Sequence, residues 1–195
     1  MPTLPILTTP RLILRPLELD DAPAIQALFP QWEIVRYLAD RVPWPYPEDG
    51  ALSFMRDVSL PAMQQEREWH WSIRPQSQPQ TLIGVISLSD EVDNNRGFWL
   101  DPNWQRQGLM QEACEAATAY WFEVLQRPVL RAPKALPNLA SRRISERSGM
   151  RLVEIVEKNY VSGRFPSELW EITREAWQRR NAEGNLGELA QTNDR

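Results

Sequence analysis

The sequence predicts an α/β (α+β) fold in one domain: a central, mixed but mostly antiparallel sheet of about six to seven strands with helices on both faces. Three observations predict it. Two β-rich runs, Glu68 to Arg74 and Thr81 to Ser89, flank the turn Pro75-Gln76-Ser77-Gln78-Pro79-Gln80, and a third run, Arg96 to Leu100, follows Asp93-Asn94-Asn95. That is the order of a hairpin and its continuation. Later in the chain, apolar strand patterns alternate with helical ones, as strand–helix units do. The 195 residues suit a single domain that buries roughly 70% of its extended surface.

Each element has a local cause. Arg11 to Arg15 has a strand-like Leu/Ile pattern and stops at Pro16. Asp20-Asp21 caps a helix through Phe29, with Pro23 in the first turn, where a missing N–H does no harm. Trp32 to Leu38 reads as a short helix, and Arg41 to Pro47, with three prolines, as a stiff loop. Glu48-Asp49 begins a helix that places Leu52, Met55 and Val58 or Ser59 on one face. After Gly108, Leu109, Ala113, Ala116 or Ala117, Tyr120 and Val124 recur at helical spacing. Val129 to Ala132 is a strand bounded by Pro128 and Pro133. Pro137-Asn138 opens a helix through Arg147, which Gly149 closes. Arg151 to Glu157 and Leu169 to Thr173 are the last strands. Residues 1–180 form the domain, and 181–195, polar and without periodicity, read as a disordered tail.

Composition narrows the function. The net charge is −4, with 22 basic against 26 acidic residues, which argues against a nucleic-acid partner, since such a protein carries a basic surplus. No apolar run approaches the ~20 residues that span a bilayer, and the first residues lack a signal-peptide pattern, so no membrane partner is expected. The single Cys114 admits no intramolecular disulfide and suits a reducing cytoplasm. One Cys and one His supply no metal-ligand cluster. No Gly-Lys-Ser/Thr, no spaced dinucleotide-binding glycines and no Gly-x-Ser-x-Gly elbow occur, which removes the common nucleotide-binding and Ser-hydrolase motifs.

The most informative stretch is Phe98 to Ala113, FWLDPNWQRQGLMQEA. A short strand at Phe98-Trp99-Leu100 passes through a Pro-containing turn into Gln105-Arg106-Gln107-Gly108, and a helix starts at Leu109-Met110-Gln111. That order sets successive backbone N–H groups and the positive end of a helix at one strand–helix junction, a ready site for a pyrophosphate. Gly108 fits a backbone packed against phosphates, where a Cβ has no room or positive φ is needed.

These residues resemble the acetyl-CoA loop of the GNAT superfamily of N-acetyltransferases, Gln/Arg-x-x-Gly-x-Gly/Ala. Asn138-Leu139-Ala140-Ser141 with Ser148-Gly149-Met150, and the opening Thr9-Pro10-Arg11-Leu12-Ile13-Leu14-Arg15-Pro16, resemble further family segments. The resemblance runs from about Arg11 to about Trp177 and is nearest to the subgroup that acetylates ribosomal-protein N-termini. Met110 stands where a small residue is usual, so its side chain must point away from the phosphates.

The resemblance implies acetyl-CoA as co-substrate and a primary-amine acceptor, either a protein N-terminal α-amine or a small molecule. It implies that Phe98, Trp99, Leu100, Gln105, Arg106, Gln107, Gly108, Leu109, Met110, Gln111, Asn138 and Ser141 bind the cofactor, with the Phe98 strand splayed from Val129 to Ala132. Ser141 is assigned the proton for the leaving thiolate. Many members are homodimers, and that expectation comes with the resemblance. Asn138 fits an N-cap equally well, and Ser141 a hydroxyl bonding a carbonyl behind it. The general base is unassigned: Tyr160 follows Asn159 and Lys158 where the subgroup has a Glu, and Asp90, Glu91 and His70 are substitutes. Arg142, Arg143, Arg147 and Arg151 either face solvent or meet a CoA phosphate. Trp32, Trp44 and Tyr46 lie where the family forms its acceptor groove, and equally suit closing the core. A non-catalytic acyl-CoA-binding module is the rival reading.

Overall fold

The structure, a computed structural model, describes residues 4–192, with side chains through residue 183. Eight strands form two sheets. The first runs β1 (Leu7–Thr8), β2 (Leu12–Pro16), β3 (Glu68–Pro75), β4 (Gly84–Ser89) and β5 (Arg96–Leu100) in spatial order. The second has the order β6 (Val129–Ala135), β8 (Gly163–Thr173), β7 (Arg151–Tyr160). Every paired neighbour is antiparallel. The expected fold class holds, but the sheet is divided between β5 and β6.

Two apolar clusters explain the layers. Along β4, Ile86 and Leu88 face one side and Val85 the other, as the two-residue period of a strand requires. The first face packs with Leu14, Trp71 and Ile73 against α5 (Leu109–Ala119), through Leu109, Ala113, Cys114 and Ala117. The second face packs against α1 (Ala22–Leu28), α2 (Trp32–Val35) and α3 (Gly50–Phe54), through Ile25, Val35 and Ala51. Helices on both faces follow from apolar residues on both faces of the strands.

Proline accounts for two departures from the expected boundaries. Pro61 lacks the N–H that a helix running on from α3 requires, and a π turn at Met55–Ser59 absorbs the break before α4 (Leu60–Gln64). Pro133 does not end its strand, because β6 continues to Ala135. Leu136 N–H bonds the Pro166 carbonyl and Arg174 N–H bonds the Pro128 carbonyl, so the even-numbered residues of β6 bond β8. Pro133 therefore turns its donorless nitrogen outward, to the side that has no bonded strand.

After α5 the chain makes a π turn at Tyr120–Val124, then β6, then α6 (Leu139–Arg147). The final helix α7 spans Arg174–Thr192 and runs on through the segment read as an aperiodic tail from Asn181. The end of that tail, 193–195, lies outside the described residues.

A single buried residue joins the two sheets. Asn95 N–H donates to the Arg131 carbonyl at 2.7 Å, and Arg131 N–H donates to Asn95 Oδ1 at 2.8 Å. Asn95 Nδ2 also donates to the carbonyls of Ser89 (3.0 Å) and Glu91 (2.9 Å). Beyond this joint β5 and β6 run side by side in the same direction and separate. Asn95→Ala strands a backbone N–H and two carbonyls, each costing about 1–3 kcal/mol when buried. We expect urea denaturation to show a loss of about 2–3 kcal/mol, while Asp57→Ala, at an exposed pair with Arg56, leaves the midpoint in place. Equal shifts for the two variants would refute the joint.

Candidate functional site

The separation of β5 from β6 opens a cleft of about 1070 Å³. Its inner wall is backbone. Asp101 N–H bonds the Ile83 carbonyl and Ser89 N–H bonds the Asn95 carbonyl, which fixes the phase of β5 against β4. Antiparallel strands alternate bonded and non-bonded pairs, so Arg96, Phe98 and Leu100 turn their N–H and C=O groups toward the cleft. Gln105 Nε2 takes up the Leu100 carbonyl at 2.9 Å. Gly84 allows this close approach of strands, since a Cβ there would overlap the Trp99 carbonyl oxygen.

The loop after β5 is held in shape from several sides. Asp101 accepts the Asn103 N–H at 3.2 Å and starts the 3₁₀ turn Pro102–Trp104. Arg106 (φ 60°) and Gly108 (φ 78°) occupy the left-handed region, which favours glycine. An added Cβ at Gly108 would meet only Arg11 Nη2, at 3.4 Å, so conformation rather than crowding within the chain requires glycine. The first helical bond of α5 runs from Glu112 N–H to the Gly108 carbonyl at 3.1 Å. The N–H groups of Leu109, Met110 and Gln111 are thus the free ones at a helix N-terminus.

An anchor that the sequence reading missed fixes this loop to the opening hairpin. Glu112 Oε1 accepts from Thr9 Oγ1 (2.6 Å) and Arg11 N–H (2.8 Å), and Oε2 accepts from Arg11 Nε (2.7 Å). Arg11 Nη1 donates to the Gln107 carbonyl at 2.8 Å. Burial raises the Glu112 carboxyl, but the bonds from Thr9 and Arg11 outweigh it and hold the group below its ordinary range.

Of the twelve residues expected at the cofactor site, eleven line the cleft. Gln107 does not; its Nε2 reaches the Asn103 carbonyl at 3.5 Å. Met110 is 8% exposed and joins the main core, so its bulk is out of the way. Asn138 Oδ1 caps α6 on the Ser141 N–H at 3.3 Å, which is the N-cap reading, and its Nδ2 makes no bond to the described residues. Ser141 is buried, and its Oγ bonds no described protein group. The four arginines divide in two: Arg142 pairs with Glu146 and Glu168, and Arg151 with Glu171. Arg143 and Arg147 line the cleft with Arg106, and none of these three forms an ion pair among the described residues.

The far wall departs from expectation. Trp32 and Trp44 pack on each other at 5.5 Å outside the cleft, and Tyr46 packs on Phe29 at 5.0 Å. Glu33, Arg36, Tyr37, Asp40 and Lys158 to Tyr160 form the wall instead. Of the substitute bases, His70 is paired with Glu68 at 2.6 Å and Asp90 with Arg127 at 2.7 Å, both outside the cleft. Glu91 lines the cleft. Tyr160 Oη donates to Ser167 Oγ at 2.6 Å, and burial raises its pKa. Two buried cations, Arg96 and Lys134, also line the cleft. Arg96 opens a strand otherwise read as apolar and Lys134 lies beyond the expected end of its strand at Ala132, so no sequence signal marked them.

Residues 11–151 match the model of the acetyltransferase (GNAT) domain, and the chain belongs to this family. It is an N-acetyltransferase with acetyl-CoA as co-substrate. Solved structures share the fold. RimL, a ribosomal L7/L12 α-N-protein acetyltransferase solved in complex with coenzyme A, gives a TM-score of 0.75 at 17% identity, covering 88% of this chain and 99% of that one. The ribosomal-protein-S5-alanine acetyltransferase from Vibrio fischeri gives 0.75 at 14% identity, covering 89% and 98%. A putative ribosomal-protein-serine acetyltransferase from Vibrio cholerae gives 0.68 at 19% identity, covering 86% and 97%. No curated protein has a sequence that matches this one.

The Glu112 anchor has a pH signature. A carboxyl held low in the folded state contributes stability above its unfolded value, near 4.5, and loses it as pH falls through the folded value. Calorimetric melting between about pH 3 and about pH 6 should show a shallower acid-side fall for Glu112→Gln than for the wild type. An unchanged slope would show that Glu112 does not hold the loop.

Proposed function

We propose that the cleft carries acetyl-CoA across the gap between the sheets and passes its acetyl group directly to a primary amine, with a protein N-terminal α-amine as acceptor. The observation that carries this reading is the edge of β5, free of a partner strand and bonded only where Gln105 takes the Leu100 carbonyl, which the Pro102–Trp104 turn and the Gly108 loop connect to the free N–H groups of α5. An extended pantetheine arm pairs with such an edge as an added strand would. Phe98, Trp99 and Leu100 supply that edge, and a β5 N–H polarises the thioester carbonyl. Gln105, Arg106, Gly108, Leu109, Met110 and Gln111 surround the pyrophosphate with backbone donors, Gln107 contributing main chain alone. Arg106, Arg143 and Arg147 offer unpaired positive charge to phosphates. Asn138 Nδ2 donates to a carbonyl of the arm.

In the transfer, the amine nitrogen forms the new C–N bond as the C–S bond breaks, and the electron pair of that bond stays on sulfur. Ser141 Oγ–H gives its proton to the thiolate and regains one from the nitrogen, which loses a proton as the amide forms, by way of water in the cleft. Cys114 is no nucleophile: it is wholly buried and its thiol is raised by burial. The far wall carries both signs of charge, Glu33 and Asp40 with Arg36 and Lys158, and offers carboxylates to an α-amine and cations to a peptide carbonyl. The 1–180 domain assignment and a cytoplasmic location, argued from the lone buried thiol, belong to the same reading. So does a homodimer, for which the exposed Leu152, Val153 and Ile155 of β7 supply an apolar surface. No described helix is long and apolar enough to cross a membrane.

The test is CoA release from acetyl-CoA with and without a panel of peptide N-termini and small amines. Release that requires a peptide supports the reading, and release only with small amines moves the acceptor to that class. Binding with no release on any acceptor favours a non-catalytic acyl-CoA module. Ser141→Ala should lower kcat by about 10²-fold or more at unchanged KM for acetyl-CoA. Gly108→Trp should abolish cofactor binding in a folded protein, and Cys114→Ala should keep its activity; a large loss in the latter would end the direct-transfer mechanism.

A further inference from the structure

Arg96 and Lys134 are 2% and 6% exposed, and neither forms an ion pair among the described residues. Arg96 Nη1 donates to Thr118 Oγ1 at 2.9 Å and Nη2 contacts Met150 Sδ at 3.4 Å, while its Nε has no partner. Lys134 Nζ sits 4.7 Å from the centre of the Phe98 ring and bonds no described group. The groups facing Lys134 are Arg96 from β5, the Cys114 thiol from α5, and Glu168, its register partner on β8. Glu168 is already committed to Arg142 at 3.3 Å and Trp170 Nε1 at 3.0 Å. Two buried cations without an anion are costly, and both line the cleft beside the β5 edge.

We propose that Arg96 and Lys134 form a built-in anion site for the thiolate sulfur of coenzyme A, holding its negative charge as the C–S bond breaks. This rests on the reading of the cleft as the acetyl-CoA site. The sulfur keeps the electron pair of the broken bond, the Lys134 ammonium faces that charge, and the Ser141 proton then neutralises it. Burial and the neighbouring Arg96 lower Lys134 to about 7, with Cys114 opposing. A negative charge arriving at the sulfur favours the ammonium form of Lys134 over the neutral amine. Since the folded value lies below the unfolded one, Lys134 weakens the free protein most below about pH 7, and that penalty fades as pH rises toward 10.5.

The experiment compares CoA with desulfo-CoA, by titration calorimetry, on wild type and Lys134→Met. The wild type should bind CoA about tenfold more tightly than desulfo-CoA, and Lys134→Met should bind both alike, at the wild-type affinity for desulfo-CoA. The variant should also melt higher than the wild type without ligand, by more at pH 6 than at pH 9, which shows that it folds and that the charge was uncompensated. A preference for CoA that survives in Lys134→Met, or its absence from the wild type, overturns the anion site while leaving the acetyl-CoA reading intact. Failure of the wild type to bind either ligand overturns both.

Discussion

The molecule depends on one short exchange of hydrogen bonds between Asn95 and Arg131. Either sheet alone has an edge: β5 ends the five-stranded one and β6 the three-stranded one. A full ladder between them would consume the N–H and C=O groups of Phe98 and Leu100. Separation with no joint would leave the gap to be set by the shared apolar core alone, in which Ile86 and Leu88 cluster with Leu130, Ala132 and Ile172. Asn95 avoids both outcomes by joining the strands at their N-terminal ends, with its side chain and main chain satisfied at once. A buried amide with every group bonded is rigid, so the opening beyond it is a fixed feature. Pro133 assists from the opposite strand, because it has no N–H with which to close the gap.

Electrostatics divides the cleft along its length. At the loop end the charge is borrowed from the backbone, through the free N–H groups of α5 and the left-handed turn at Arg106 and Gly108. The Thr9–Arg11–Glu112 cluster keeps that turn in place, with its own charges cancelled. At the floor, Arg96 and the partly protonated Lys134 have no carboxylate partner among the described residues. This contrast has a physical sense: positioning is best done by neutral, fully bonded groups, whereas a site that must receive charge needs some left unspent. The cost in stability falls on the free protein.

The sequence made some of this legible and hid the rest for identifiable reasons. β5, the loop and α5 were readable because Pro102, Gly108 and the helical apolar period mark their limits within a few residues of one another. Ser141 was singled out by the resemblance of the Asn138 to Ser141 segment, and it lines the cleft. The division of the sheet was legible as a splay between two strands, but not as two sheets, since the decisive contact pairs residues 36 apart and Asn95 looks like any turn asparagine. Pro133 misled as a terminator because its tolerance depends on which side of the strand faces a partner. Trp32, Trp44 and Tyr46 could not be assigned because aromatic residues suit a groove wall and core closure equally; Tyr46 packs on the core residue Phe29. Arg96 and Lys134 carry no pattern: Arg96 opens its strand, Lys134 lies past the proline that was read as the end of its strand, and only the fold shows that both are buried without a carboxylate.

The far wall explains why no single carboxylate takes the role of a general base. Such a base needs a pKa raised toward neutrality, and burial is the usual means. The acidic groups on this wall, Glu33, Asp40 and Glu91, are all exposed. The hydroxyl of Tyr160 is spent on Ser167, and burial moves it further from neutrality. Asn159 offers no proton acceptor of useful basicity, and the ammonium of Lys158 would have to be neutralised first. The chemistry is therefore asymmetric. The sulfur side is buried and its groups are arranged to receive charge and supply a proton. The amine side is open to water, and an N-terminal α-amine, with an ordinary pKa of about 8, releases its proton to water readily at neutral pH. On the reading proposed above, the protein assists the leaving group and leaves deprotonation of the nucleophile to solvent.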